Sequence, residues 1–292
     1  MRRYNIGLVV CLIAIFWSAT SHAVQVSIDS FSIVQAGSTI LNDTFSDGLE
    51  PPRGPNGEAG YYGVSSTSTP TPFPSNAESG GLLQMDSANG VPSVNAGGGA
   101  RLNLTVQPTL TSLPTSTFTS SSGVLVMTGV FTLPVISGPL NEGYGIRFID
   151  SIGSGNDEVL ELNVQWWTGN ASNQAGWYIR YLVQDFNSNT ITTIGAPLVN
   201  IPTGADEICL SLSRTDLTHP DMFAASYLYG TSGSCSGTAV SLGSAQGFLY
   251  HDWVRGQFHA FETVPEPGTW LLMGVGLVGL VVAARWRRTL RN

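Results

Sequence analysis

At 292 residues the chain is long enough for one large domain or two small ones, and only 11% of its residues are charged. It has no lysine, and between residues 24 and 263 six arginines stand against nineteen acidic residues, a formal charge of −13. That balance argues against a nucleic-acid-binding surface, which needs basic patches to neutralise phosphates, and the abundance of Gly, Ser, Thr and Asn argues for a β-rich exported domain rather than a helical cytosolic enzyme.

The chain opens MRRYNIGLVVCLIAIFWSATSHA. Arg2 and Arg3 precede an apolar stretch from Ile6 to Trp17, and small and polar residues lead to Ala23. Basic, apolar and small-residue regions in that order predict a secretory signal peptide, helical while it inserts, over residues 1–23. The residues after Arg2-Arg3 do not continue a twin-arginine export motif, and bulky Val10 before Cys11 does not fit a lipoprotein site. Export then leaves Cys209 and Cys235 as an even pair in an oxidising compartment, which predicts a disulfide. GSCSG (Gly233 to Gly237) has the letter spacing of a nucleophile elbow with Cys235 in the nucleophile position, but no strand-to-helix context surrounds it.

From Val24 to about Phe45 the pattern is strand-like: VQVSID, then FSIVQ, then TILNDTF. SDGLEPPRGPNGEAG is dense in turn residues, and SSTSTPTPFPSN (residues 65–76) predicts a low-complexity loop. GLLQMDS and ARLNLTV read as short strands with a Gly-rich loop between them. GVLVMTGVFTL, YGIRFIDS, VLELNVQWW, WYIRYLVQDF, TITTIGAPLV, EICLSLSRT, MFAASYLYG and WVRGQFHAFE then follow one another. Many short β-branched and aromatic runs between turn residues predict an all-β sandwich over residues 24–263.

Alternation assigns faces. Leu160, Leu162, Val164 and Trp166 share one side of their strand; Glu161, Asn163, Gln165 and Trp167 share the other. In the next strand Trp177, Ile179, Tyr181 and Val183 oppose Tyr178, Arg180, Leu182 and Gln184. A hairpin across residues 168–176 would merge Glu161, Asn163, Gln165, Trp167, Tyr178 and Arg180 into one surface. Aromatic plates beside amides and a guanidinium suit a glycan, so these six are the candidate ligand-binding residues; the favoured alternative is a second core face with a few satisfied polar groups, and Trp166 and Trp177 are expected in the core.

DTFSDGLEPP, GGLLQMDS, GVLVMTGVF, GYGIRFID and the closing WVRGQFHAFE resemble the concanavalin A-like (laminin G/glucanase-type) jelly roll over about residues 28–263. That resemblance implies two sheets around one core, with an early strand pairing near the last. Glucanases of this fold carry a Glu-x-Asp-x-x-Glu strand. Here the nearest text is Asp157-Glu158-Val159-Leu160-Glu161. Its two glutamates, three residues apart, fall on opposite sides of a strand, whereas retaining hydrolysis needs two carboxyls about 5–5.5 Å apart on one side. No catalytic residue is therefore assigned. His251 and His259 could meet across a bend as metal ligands, but surface and edge polar residues near the closing strand explain them more simply, and no metal site is assigned. Asp43 and Asp47 in NDTFSDG are weak candidates for a structural calcium, though Asp-Gly is first a turn signal.

The end reads VPEPGTWLLMGVGLVGLVVAARWRRTLRN. Residues 269–284 form an apolar run that, as a helix, would be about 24 Å long against a hydrocarbon core of about 30 Å. Trp270 and Trp286 bracket it, and Arg285, Arg287, Arg288 and Arg291 would keep the end cytoplasmic by the positive-inside rule. The glycines Gly274, Gly276 and Gly279 match a dinucleotide fingerprint by letters alone, with no strand before them. Pro265-Glu266-Pro267, the apolar span and the arginines, in that order over residues 264–292, resemble the PEP-CTERM sorting signal of Gram-negative bacteria, a segment also called the ice-binding protein C-terminal motif. The resemblance implies recognition by an exosortase in the inner membrane, cleavage near the motif, and delivery to the cell surface or exopolysaccharide matrix.

The expected protein is thus non-enzymatic, exported, anchored in the inner membrane as a precursor and then sorted. Its expected partners are the secretion machinery, the exosortase and extracellular polysaccharide, with no nucleic acid and no cofactor beyond the calcium candidate. A glycan hydrolase or lyase and a purely structural or adhesive matrix protein are the alternatives.

Overall fold

The computed structural model describes residues 25–46, 78–86, 91–94, 100–106, 123–133, 142–150, 158–167, 174–185, 190–219, 222–231, 235–246 and 254–264. The expected signal peptide over residues 1–23, the expected loop at 65–76, Asp47, His251, the Pro265-Glu266-Pro267 motif, the apolar run at 269–284 and the terminal arginines lie outside these residues. The described chain is all-β, a sandwich of two antiparallel sheets. In chain order its strands are β1 (Gln25–Gln35), β2 (Ser38–Asp43), β3 (Glu78–Ser79), β4 (Leu82–Asp86), β5 (Val91–Val94), β6 (Ala100–Val106), β7 (Leu125–Thr132) and β8 (Glu142–Asp150). They continue as β9 (Glu158–Trp167), β10 (Gly176–Asp185), β11 (Thr190–Gly195), β12 (Glu207–Arg214), β13 (Met222–Gly230), β14 (Val240–Gln246) and β15 (Val254–Val264).

The first sheet runs β14-β13-β12-β7-β1-β4-β3, with β2 also on β1; the second runs β11-β10-β9-β8-β15-β6-β5. The early strand β1 lies opposite the last strand β15 rather than beside it. Phe31 of β1 and Phe258 of β15 meet with ring centroids 5.0 Å apart, and Phe45 reaches the same ring at 5.8 Å. An edge-on aromatic triad ties the two sheets at the centre of the core.

VQVSID and FSIVQ form one strand, not two. Opposite β7 the register passes from Ile28 to Ser30, leaving Asp29 as an extra residue. This bulge shifts the alternation, so Val26 and Ile28 before it and Phe31 and Ile33 after it all face the core. The pattern had also hidden three short strands. β3 has two residues, β5 sits in a Gly-rich stretch, and β14 (VSLGSAQ) is small and polar because much of it is exposed.

Elsewhere the alternation holds. Leu160, Leu162 and Val164 of β9, Ile179, Tyr181 and Val183 of β10, and Tyr144, Ile146 and Phe148 of β8 are buried against Ile208, Leu210 and Leu212 of β12. Tyr181 Oη donates to the carbonyl of Phe223 at 2.9 Å, satisfying a buried hydroxyl across the inter-sheet gap. Trp166 and Trp177, expected in the core, are half-buried. Trp177 packs on the core's margin, and the two rings meet edge to face at 5.7 Å.

Cys209 on β12 is disulfide-bonded to Cys235, with Cα atoms 6.1 Å apart, as the cysteine count predicted. That bond removes the nucleophile reading of GSCSG. Asp43 Oδ1 accepts the backbone N–H of Phe45 at 2.8 Å, a turn that carries Phe45 into the core.

Candidate functional site

β9 and β10 form the expected hairpin, pairing Gln165 with Tyr178, Asn163 with Arg180 and Glu161 with Leu182. The tertiary structure extends this surface across two more strands. β8 pairs with β9, and β15 pairs with the other edge of β8. Two rows result on the face turned away from the core. Gln257, Arg147 and Glu161 form one; His259, Gly145, Asn163 and Arg180 form the other. Alternation puts all of them opposite apolar neighbours: Arg147 lies between Ile146 and Phe148, and His259 between Phe258 and Ala260.

The centre of the cluster is Glu161. Its Oε1 lies 3.5 Å from His259 Nε2, and its Oε2 lies 3.8 Å from Arg147 Nη1. Asn163 Nδ2 donates a hydrogen bond to Glu161 Oε1. Arg147 Nε donates to Gln257 Oε1 at 2.9 Å. Glu161, Asn163, Gln165, Gln257 and His259 are all buried. A buried carboxylate requires paired charge and hydrogen bonds, and Arg147 with Asn163 supplies both.

Beside this floor stands a half-buried rim of Trp167, Tyr178 and Arg180. Arg180 Nη1 donates to Gln165 Oε1 at 2.7 Å and Nη2 to Thr193 Oγ1 at 3.3 Å. Its guanidinium carbon lies 5.8 Å from the centre of the Trp167 ring, a cation–π contact. Burial pulls the Arg180 guanidinium below its ordinary value, and the charge of Glu161 acts the other way. Tyr178 Oη donates to the carbonyl of Gln174 at 2.7 Å, which holds the ring in place.

Gly145 is a point of close strand approach. It lies in the row between His259 and Asn163. A Cβ there would stand 2.6 Å from Asn163 Cα and collide with the carbonyl oxygen of Leu162. The missing side chain lets the β9 backbone at Leu162 and Asn163 pack directly against β8.

All six sequence-predicted binding residues therefore share one face of the second sheet, where Glu161, Asn163 and Gln165 are buried and Trp167, Tyr178 and Arg180 half-buried. The sequence reading missed Arg147, Gln257 and His259 as members of it. Their alternation was legible, but the adjacency of β8 and β15, more than a hundred residues apart, was not. His259, weighed with His251 as a metal ligand, here faces Glu161. Among the described residues no three His, Cys, Asp or Glu side chains gather as a metal-binding group.

Chemically the cluster offers a carboxylate beside an imidazole, two guanidiniums, three amides and two aromatic plates. A comparison with curated proteins returned no match. Residues 263–288 match the family described as PEP-CTERM protein-sorting motif, and this chain is accordingly an exported protein that carries an exosortase sorting signal at the end of its β-sandwich.

Proposed function

We propose that the protein works at the cell surface or in the extracellular matrix as a non-enzymatic β-sandwich module of the concanavalin A-like kind, and that it binds polysaccharide on the outer face of its second sheet. Exosortase processing near Pro265-Glu266-Pro267 would release it from the inner membrane. The observation that carries the reading is the polar floor of buried Glu161, Asn163, Gln257 and His259 with half-buried Arg147, beside the half-buried rim of Trp167, Tyr178 and Arg180. A sandwich that needed only stability would gain more from apolar residues there, because a buried ionic network replaced by well-packed apolar groups is often neutral or stabilising. Binding of the exported protein to a panel of bacterial and plant polysaccharides tests this; no binding to any of them would remove it.

One observation favours a second reading, a glycan hydrolase or lyase. His259 Nε2 within 3.5 Å of Glu161 Oε1, with Arg147 on the other carboxylate oxygen, is an arrangement able to act as acid and base. Polysaccharide turnover that disappears in Glu161→Gln would establish it over simple binding.

A further inference from the structure

Arg180 is the anomaly of the site. In a segment with nineteen acidic residues and six arginines, its hydrogen-bonding partners are the neutral Gln165 and Thr193. Glu161 acts on it through space but is engaged with Arg147, Asn163 and His259. A guanidinium has five N–H donors, and these two bonds use two of them. The cation is nonetheless half-buried against Trp167, where desolvation is uncompensated by a carboxylate of its own. Two further buried atoms on this face are unsatisfied. Trp167 Nε1, a donor, and Asn163 Oδ1, an acceptor, have no hydrogen-bond partner among the described residues. Asn163 is 0% exposed.

We infer that the Trp167–Arg180 corner is a subsite for the acidic group of an acidic polysaccharide, a sugar carboxylate in particular. The free guanidinium N–H groups and the Trp167 indole N–H would donate to its oxygens. Asn163 Oδ1 would accept from a neighbouring hydroxyl, and the Tyr178 ring would lie against the sugar plane. The inference rests on the polysaccharide-binding reading and narrows its ligand class. Guanidinium suits this role because its planar fork matches a carboxylate with two parallel bonds.

The test uses the full chain in mild detergent with three probes: polygalacturonate, the same polymer with its carboxylates reduced to alcohols, and a neutral β-glucan. Binding to polygalacturonate is expected to exceed binding to the reduced polymer by about tenfold or more, the scale of one charge-assisted contact. Arg180→Gln should abolish that preference, while Arg180→Lys, which keeps the charge, should retain part of it and its sensitivity to salt. Trp167→Phe, which keeps a ring and loses the N–H, should weaken polygalacturonate binding severalfold. Equal binding of the acidic and reduced polymers would overturn the subsite and leave the polysaccharide-binding reading standing. Absence of binding to all three by a chain with a wild-type circular dichroism spectrum would overturn both.

Discussion

His259 on β15 and Glu161 on β9 approach to 3.5 Å although β8 runs between their strands. They are diagonal rather than directly opposed, since His259 is in register with Gly145 and Glu161 with Arg147. The contact passes over Gly145, which carries no side chain, and it joins two parts of the chain that are about a hundred residues apart in sequence.

Removing Glu161 should strand the cations it faces. Glu161→Ala is expected to cost about 3 kcal/mol, the scale for breaking a buried ion pair, because Arg147 keeps its charge without the carboxylate. Glu161→Gln, which preserves volume, should cost less. Urea denaturation of both variants measures this, and equal, negligible losses would mean the network is solvated.

Gly145→Ala tests the close approach. The added methyl meets the Leu162 carbonyl and Asn163 Cα, both backbone atoms that cannot swing away. A loss of about 2–3 kcal/mol is expected from overpacking, together with weakened glycan binding, because the β8–β9 spacing must open. A variant as stable as wild type would show that the strands separate freely.

The Cys209–Cys235 bond closes a separation of 26 residues and joins β12 to the chain leading into β14. In the chain-entropy account, Cys235→Ser should lose roughly 3 kcal/mol. Thermal melts with and without reductant should differ for the wild type and coincide for the variant. Thiol titration of the exported protein should find no free cysteine.

Asp216 predicts a signature in acid. Its carboxylate accepts the Thr218 hydroxyl at 2.6 Å, lies 2.9 Å from His219 Nδ1 and accepts the Thr218 N–H at 2.9 Å. These bonds hold it well below the usual carboxylate range. A lowered folded value means the contribution is present above the unfolded value of about 3.9 and is lost as pH falls toward the folded one. The difference in Tm between wild type and Asp216→Asn should therefore narrow below about pH 4. A gap that stays constant there would rule out the carboxylate as its source.

The sorting signal makes a separate prediction. In a host with an exosortase, the surface-released protein should lack the segment after the Pro265-Glu266-Pro267 region. Replacing all three with alanine should retain the full-length chain in the membrane fraction. Mass spectrometry of released and membrane-bound protein reads the outcome, and an intact C-terminus on released wild-type protein would contradict it.

The sorting motif, the all-β class, the disulfide and one face of the site were legible in the sequence alone. Each depends on composition, short spacing or period-two alternation, and these are local properties. The hairpin of β9 and β10 was legible for the same reason, since its two strands are adjacent in sequence. Arg147, Gln257 and His259 joined Glu161 only through the order β9-β8-β15 in the second sheet. That order is a matter of long-range strand pairing, and no local pattern encodes which distant strands become neighbours. The merging of VQVSID and FSIVQ into one strand likewise needed the partner strand β7, because an extra residue at Asp29 is visible only against a register.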